Sequence, residues 1–173
     1  MAYIGIGAVF IVLCSWIAVP SPVPFTLQTF GVFFVLGLLK GRRGFYSVAV
    51  YILMGLVGIP VFSGFTGGAG VFLGPTGGFI IGFAAAALFY RLVSSLFEDK
   101  LLVRLVLMFS GLLLCYALGT VWYAFVFASG EAGGFVSALT VCVAPFVIPD
   151  ILKVAAAAVL SRSLEKRFVN HRY

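Results

Sequence analysis

The chain has 173 residues, of which 63% are hydrophobic and only 9% are charged, and its mean hydropathy is +1.22. So apolar a chain cannot present a water-soluble surface, and the composition therefore predicts an integral membrane protein. The length allows a single domain, 1–173, without a soluble appendage. The net charge of +6 does not indicate nucleic-acid binding in this context.

The apolar runs predict an all-α fold of six transmembrane helices with structured outer loops, because each run approaches the roughly 20 residues that span a bilayer. We place the helices near residues 3–19, 25–39, 44–61, 77–96, 101–128 and 149–162, with a short basic tail at 163–173. The apolar segment 135–148 is short, and we interpret it as a surface-lying or re-entrant piece before the last helix.

Lysine and arginine are concentrated in one set of loops, as is typical of cytoplasmic loops. The basic residues on this side are Lys40, Arg42, Arg43, Arg91, Lys100, Arg104, Arg162, Lys166, Arg167 and Arg172. The opposite loops, 20–24, 62–76 and 129–134, contain neither residue type, and their one charge is Glu131. The pattern predicts a multi-pass protein with both termini in the cytoplasm. The first residues lack a basic region and a cleavage pattern, so we expect no cleavable signal.

An acid and a base lie within a hydrophobic segment, in the stretch from Pro149 to Lys153. Ionisable groups inside a membrane helix cost about 2.5–3.5 kcal/mol each, so a retained one indicates a functional site with a nearby partner. The i, i+3 spacing puts Asp150 and Lys153 on one helical face. The alternative is a pair that only neutralises itself at a helix start marked by Pro149.

Two outer segments are unusual in composition. Residues 62–78 are too rich in glycine for a helix and too apolar for a flexible linker, so we expect this loop to fold back onto protein and expose backbone groups. It lacks the spacing of a nucleotide-binding loop. Prolines at alternate positions hold segment 20–24 extended. After it, Thr26 is expected to cap a helix, and Gln28 either caps the helix or faces a cavity.

The sequence has few residues that could support catalysis or bind a metal ion. Cys14, Cys115 and Cys142 are isolated in apolar segments, and His171 stands alone in the tail. Asp150 has no second membrane carboxylate, and no nucleophile lies beside a base. We therefore expect buried free thiols, no metal, no cofactor and no enzymatic activity.

Five ordered motifs resemble the BioY family, the biotin-specific substrate-binding (S) components of energy-coupling factor (ECF) transporters. They are PVPFTLQ at 22–28, YILMGLVGIPVF at 51–62, GPTGGF at 74–79, PF at 145–146 and PDILK at 149–153. The resemblance implies a six-helix protein of the prokaryotic cytoplasmic membrane that binds biotin from outside. It also implies a transmembrane coupling (T) subunit and two cytoplasmic ATPase subunits as partners, which agrees with the absence of a Walker motif.

With biotin as the expected ligand, we assign substrate-binding roles to residues from the unusual segments. Lys153 is expected to meet an oxygen of biotin, and Asp150 to accept its ureido N–H groups. The other expected contacts are Gln28, Tyr51, Thr66, Gly67 and Phe79. A pocket of this kind needs few polar groups within apolar walls.

The resemblance also implies that helix one docks the T subunit through small residues spaced four apart. Here Ala8 is followed at that spacing by Val12, so we expect a modified surface that includes Gly5, Ala8, Val12 and Ser15. Two alternatives remain: an S component for a different vitamin, or a structural subunit of a membrane complex that needs no pocket.

Overall fold

The protein is mostly helical, and the computed structural model describes residues 1–19, 24–127 and 134–170. Within these ranges there are α-helices and one two-stranded hairpin. In chain order they are α1 (Ala2–Trp16), β1 (Ala18–Val19), β2 (Phe25–Thr26), α2 (Gln28–Leu39), α3 (Gly41–Leu56), α4 (Ala69–Leu73), α5 (Gly77–Val93), α6 (Leu101–Trp122), α7 (Gly134–Cys142) and α8 (Val147–Asn170). Single 3-10 turns lie at Ser63–Phe65 and Ser94–Leu96, and a π-helical turn, Tyr123–Phe127, extends α6.

Two helical segments of the described chain are long and apolar enough to cross a membrane. They are Gly77–Leu96, with 20 residues, and Leu101–Val126, with 26 residues. At 1.5 Å per residue, a helix of 20 residues covers about 30 Å, the thickness of a bilayer's hydrocarbon core. Helices α1 and α2 are also apolar, but with 15 and 12 residues they are shorter than this span.

Three helices, predicted at 3–19, 25–39 and 44–61, are each shorter at one end in the structure than in the prediction. In the structure α1 ends at Trp16, α2 begins at Gln28 and α3 ends at Leu56. Between α1 and α2, β1 pairs with β2 in antiparallel register, Ala18 opposite Thr26. Residues 20–23, most of the segment predicted to be extended, lie outside the described part of the chain. Helix α3 stops where Gly58 takes a φ of +98° and Pro60 follows, because proline cannot continue a helix.

The expectation that segment 62–78 contains no helix is also corrected. An antiparallel β-bridge between Phe62 and Thr66 closes a small loop around the 3-10 turn Ser63–Phe65, and α4 follows this loop. Gly64 lies within the 3-10 turn and Gly68 immediately precedes α4, and both have a positive φ, which lets the chain change direction at these points. Short helical turns are compatible with a glycine-rich segment because they need few residues.

The last two helices also differ from the prediction. Segment 135–148 contains α7, and α8 begins at Val147 rather than Pro149, because the first turn of a helix tolerates proline. Helix α8 continues to Asn170, through most of the predicted tail. Leu164 packs against the core and Glu165 forms ion pairs, so this part of α8 has contacts that a solvated tail would lack. The remaining tail residues, 171–173, lie outside the described part of the chain.

The core is centred on α2, whose residues Val32, Phe33, Val35 and Leu36 are all buried. Helix α8 lies against α2 at Gly37, where an added Cβ would be 2.5 Å from Oγ of Ser161. Glycine at this position therefore permits a close crossing between the two helices. The same holds for α5 and α6 at Gly82, where an added Cβ would be 2.7 Å from Cα of Cys115.

A charge cluster joins α2, α6 and α8 at one end of the bundle; we define it as Lys40, Asp99, Arg104 and Glu165. The Arg104 side chain is fully buried and donates to carboxylate oxygens of Asp99 and Glu165, each at 2.7 Å. Lys40 bonds the same two carboxylates, and Nη1 of Arg104 donates to Oγ of Ser161 at 2.9 Å. Two cations thus face two anions, so no net charge is buried.

Asp99 lies in the turn between α5 and α6, where opposing effects act on its pKa. Partial burial raises the pKa of the carboxyl, but hydrogen bonds from Lys40 and Arg104 outweigh burial and hold the pKa below its usual range. Asp99 is therefore charged at neutral pH. The cluster stabilises the fold above the ordinary pKa of an aspartate and loses this contribution as the pH falls through the lowered pKa.

Candidate functional site

A cavity of about 260 Å³ lies at the end of the bundle opposite the charge cluster. It is enclosed by the first turns of α2, α5 and α8, by the middle of α6 and by the loop that precedes α4. Most of its wall is apolar, with the rings of Phe62, Phe79, Phe83 and Phe146 among the lining side chains. Apolar walls with a few convergent polar groups are typical of small-molecule sites.

Lys153 and Asp150 form the polar wall of the cavity. Nζ of Lys153 donates to Oδ1 of Asp150 at 2.8 Å and to the carbonyl oxygen of Thr26 at 2.7 Å. The ammonium also lies 3.8 Å from the centre of the Phe25 ring, within range of a cation–π contact. Asp150 is only 4% exposed and Lys153 only 8%. The two charges therefore compensate each other in a site of low dielectric.

Tyr116 of α6 adds a contact to this pair that was not predicted from the sequence. Its hydroxyl donates to Oδ2 of Asp150 at 2.9 Å, so both carboxylate oxygens already accept a hydrogen bond from the protein. Lys153 uses two of its three N–H donors on protein oxygens and keeps one for a ligand. Tyr116 lies in a long apolar helix with no local motif, so no sequence signal pointed to it.

The start of α2 contributes a side chain with unused hydrogen-bonding capacity. Gln28 lines the cavity and is 8% exposed, yet its Nε2 has no hydrogen-bond partner among the described residues. A buried amide donor without a partner costs about 1–3 kcal/mol, which a ligand acceptor would recover. Thr26 is not the N-cap of α2, which is Leu27, but its Oγ1 accepts the backbone N–H of Gln28 at 3.1 Å.

The remaining predicted site residues separate into two groups. Thr66 and Phe79 line the cavity, and the hydroxyl of Thr66 donates to the carbonyl oxygen of Ser63 at 2.8 Å. Tyr51 and Gly67 do not line it. Tyr51 is fully buried behind Phe62, with the two ring centres 5.5 Å apart. Tyr51 thus supports the cavity wall from behind.

Gly67 has a structural role rather than a lining role. A Cβ at this position would be 2.3 Å from the carbonyl oxygen of Ile59, so only glycine allows this approach. The prediction placed both Thr66 and Gly67 of the glycine-rich loop in the site, but only part of the loop reaches the cavity. The lining residues that were not predicted, besides Tyr116, include Thr29, Ser63, Thr76, Cys115, Cys142 and Phe146. The two thiols are free and buried, as is Cys14.

The docking surface predicted on α1 is largely wrong, because three of its four residues point inward. Ala8, Val12 and Ser15 are 1%, 6% and 0% exposed, and Ser15 donates a hydrogen bond to the carbonyl oxygen of Val61. Small residues on α1 serve its packing against α2 and α3. Gly5 does lie on the exposed face, with open space around the position of an added Cβ.

The chain can be compared with known proteins. The model of the BioY family matches residues 1–170 of this chain. A probable biotin transporter BioY of Pyrococcus horikoshii is 39% identical over 145 residues, which are 84% of this chain and 82% of that protein. The biotin transporter BioY of Thermotoga maritima is 37% identical over 166 residues, 94% of this chain and 93% of the relative.

A solved structure gives the same result at the level of the fold. The crystal structure of the S-component for biotin from an ECF-type ABC transporter superposes with a TM-score of 0.83 and 26% sequence identity. The match covers 95% of this chain and 89% of that one. This chain therefore belongs to the BioY family.

Proposed function

We propose that this chain binds biotin in the cavity beside α8 and serves as the S component of an ECF-type ABC transporter for biotin uptake. The observation that carries the proposal is the buried Lys153–Asp150 pair on the wall of an otherwise apolar cavity. Its relative in Pyrococcus horikoshii is described as a probable biotin transporter, and its relative in Thermotoga maritima as a biotin transporter. A subunit with only a structural role would need no such cavity.

The chemistry of the cavity suits the chemistry of biotin. Biotin has an apolar bicyclic head, a ureido group with two N–H donors and a carbonyl acceptor, and a carboxylate on an aliphatic tail. Phenylalanine rings can enclose the apolar part of the bicyclic head and the aliphatic part of the tail, because these parts are uncharged and hydrophobic. The remaining donor of Lys153 and the unpaired Nε2 of Gln28 are available for biotin oxygens.

Asp150 is assigned to the ureido N–H groups of biotin. Each of its carboxylate oxygens accepts one hydrogen bond from the protein and has a second lone pair to offer. Tyr116 then acts as a positioning residue, because its hydrogen bond fixes the carboxylate on the side of α6. Thr66 and Phe79 complete the wall formed by the outer loop and α5.

Docking to a T subunit is assigned to the exposed face of α1. This face contains Gly5, Ile6, Val9 and Leu13, of which the last three are 66%, 52% and 51% exposed. Gly5 adds no side chain to this face, so a partner helix can approach closely there, although Val9, four residues on, is larger than the small residues typical of such contacts. This face takes the place of the buried residues Ala8, Val12 and Ser15 in the docking surface predicted from the sequence.

Energy coupling provides a first test of this proposal. The purified chain is expected to hydrolyse no ATP, because the sequence has no loop that can cradle a triphosphate. In proteoliposomes, biotin uptake and ATP hydrolysis are expected only after a T subunit and two ATPase subunits are added. Uptake that proceeds equally well without them would contradict the assignment as an S component.

We further propose that six helices, α1, α2, α3, α5, α6 and α8, cross the cytoplasmic membrane. Helices α1 and α2 are short for this. However, strand β1 follows α1 and strand β2 precedes α2, and the two strands add length at the outer surface. The hairpin pairs its own backbone groups, which reduces the cost of polar groups near the membrane. The charge cluster then lies at the cytoplasmic end and the cavity at the outer end.

Reporter fusions test this orientation. Reporters at the N terminus and the C terminus are both expected in the cytoplasm, while a tag inserted at 64–70 is expected outside, because the basic residues other than Lys153 are confined to one side. A second external tag belongs near Glu131, which lies outside the described residues. A reporter at the C terminus that is found outside would refute the six-span arrangement.

A further inference from the structure

A second depression lies outside the cavity, in a groove between α1 and α2 near the charge cluster. It has a volume of about 480 Å³, larger than the cavity, and it opens on the exposed face of α1. Ile6, Phe10, Phe34 and Leu38 form apolar walls along the two helices. The groove contains none of the residues assigned to biotin, and it shares only Ile6 with the face of α1 assigned to the T subunit.

One end of the groove carries a cation without an acidic partner. The exposed Arg43 lines this end and forms no ion pair within the described part of the chain. Its guanidinium lies 5.9 Å from the ring centre of Tyr3, which holds it at the mouth of the groove. Glu165 also lines the groove, but its two oxygens are bonded to Lys40 and Arg104. The mouth of the groove is therefore positive.

We propose that this groove binds one anionic phospholipid of the cytoplasmic leaflet. The phosphate pairs with the guanidinium of Arg43, and an acyl chain lies along the apolar walls between α1 and α2. Arginine offers two parallel N–H donors that match the oxygens of a phosphate. Basic pockets between membrane helices on the cytoplasmic side are suited to anionic head groups. The apolar groove selects a lipid over free phosphate, which has no chain to bury.

Native mass spectrometry of the full-length chain tests this proposal. The purified chain in detergent is mixed with phosphatidylglycerol or with phosphatidylcholine that has the same acyl chains. We expect the chain to retain one molecule of phosphatidylglycerol and to retain phosphatidylcholine less well. Arg43→Gln is expected to lower the affinity for phosphatidylglycerol about fivefold or more and that for phosphatidylcholine much less. Arg42→Gln is the matched control, because Arg42 is the exposed neighbour but does not line the groove. It is expected to change the affinity less than about twofold.

A second pair of variants tests the apolar part of the groove. Ile6→Trp fills the groove and is expected to reduce phosphatidylglycerol retention, whereas Val9→Trp, on the same exposed face but outside the groove, is expected to preserve it. Inorganic phosphate is expected not to displace the lipid. Equal retention of the two lipids, or equal effects of Arg42→Gln and Arg43→Gln, would overturn the proposal. So would a loss of T-subunit binding in Arg43→Gln with lipid retention unchanged, because the groove would then be a protein interface.

Discussion

Lys153→Met is expected to weaken biotin binding by about 1.5–3 kcal/mol, the scale of one lost charged hydrogen bond. In affinity this is a loss of about tenfold to more than a hundredfold. The change also removes the partner of a buried carboxylate, so the variant without ligand is expected to be less stable by about 3 kcal/mol. Isothermal titration with biotin and thermal unfolding in the same detergent measure the two effects. Lys100→Met, an exposed lysine next to Glu98, is the control that should change neither.

The double variant Asp150→Asn with Lys153→Met separates a binding role from a folding role. It removes both charges together, so it should recover most of the stability that the single change loses. Biotin binding should remain weak, because neither the ammonium nor the carboxylate is there to meet the ligand. If the double variant recovers tight binding together with stability, the pair only neutralises itself and the site assignment is wrong.

Arg104→Leu is expected to be the most destabilising change away from the cavity. It leaves Asp99 and Glu165 with only Lys40 as a cationic partner, and it removes the donor to Ser161. Breaking a buried pair costs about 3–5 kcal/mol, and we expect the lower end because the two carboxylates are 41% and 29% exposed. The measurement is thermal or denaturant unfolding of the variant and the unchanged chain at pH 7, where Asp99 of the unchanged chain, whose pKa is lowered by Lys40 and Arg104, is charged.

The same variant distinguishes the two ends of the bundle. Below its unfolding temperature, Arg104→Leu should bind biotin with nearly unchanged affinity, because the charge cluster lies at the other end of α8 from Lys153. Lys100→Met again serves as the control, since its ion pair with Glu98 is exposed and contributes little to stability. Unchanged stability of Arg104→Leu would show that the cluster does not hold α2, α6 and α8 together.

Several features of the fold and the site could be predicted because they depend on local chemistry. Composition alone indicated a helical membrane protein, and the start of α6 at Leu101 follows from the beginning of an apolar run after three charged residues. The Lys153–Asp150 contact is a consequence of i, i+3 spacing on one helix. The family was recognised from motifs that keep their order along the chain, and the comparisons confirm it.

Other features could not be predicted because they depend on packing between distant segments. The hydroxyl of Tyr116 reaches Asp150 only because α6 lies beside α8. Hydrophobicity also does not reveal which face of α1 points inward, since both faces of a membrane helix are apolar. The surface predicted around Ala8 and Ser15 was wrong for this reason. Tyr51 was assigned to the cavity by its motif, whereas its position depends on Phe62 packing in front of it.

Equilibrium binding of labelled biotin to the purified, full-length chain tests the central claim most directly. Without T or ATPase subunits, the account predicts saturable binding of about one biotin per chain. Unlabelled biotin should displace the label, whereas thiamine and riboflavin should not, and Lys153→Met should bind far more weakly than Lys100→Met. A folded preparation that shows no saturable biotin binding, or that prefers another vitamin, would contradict the account.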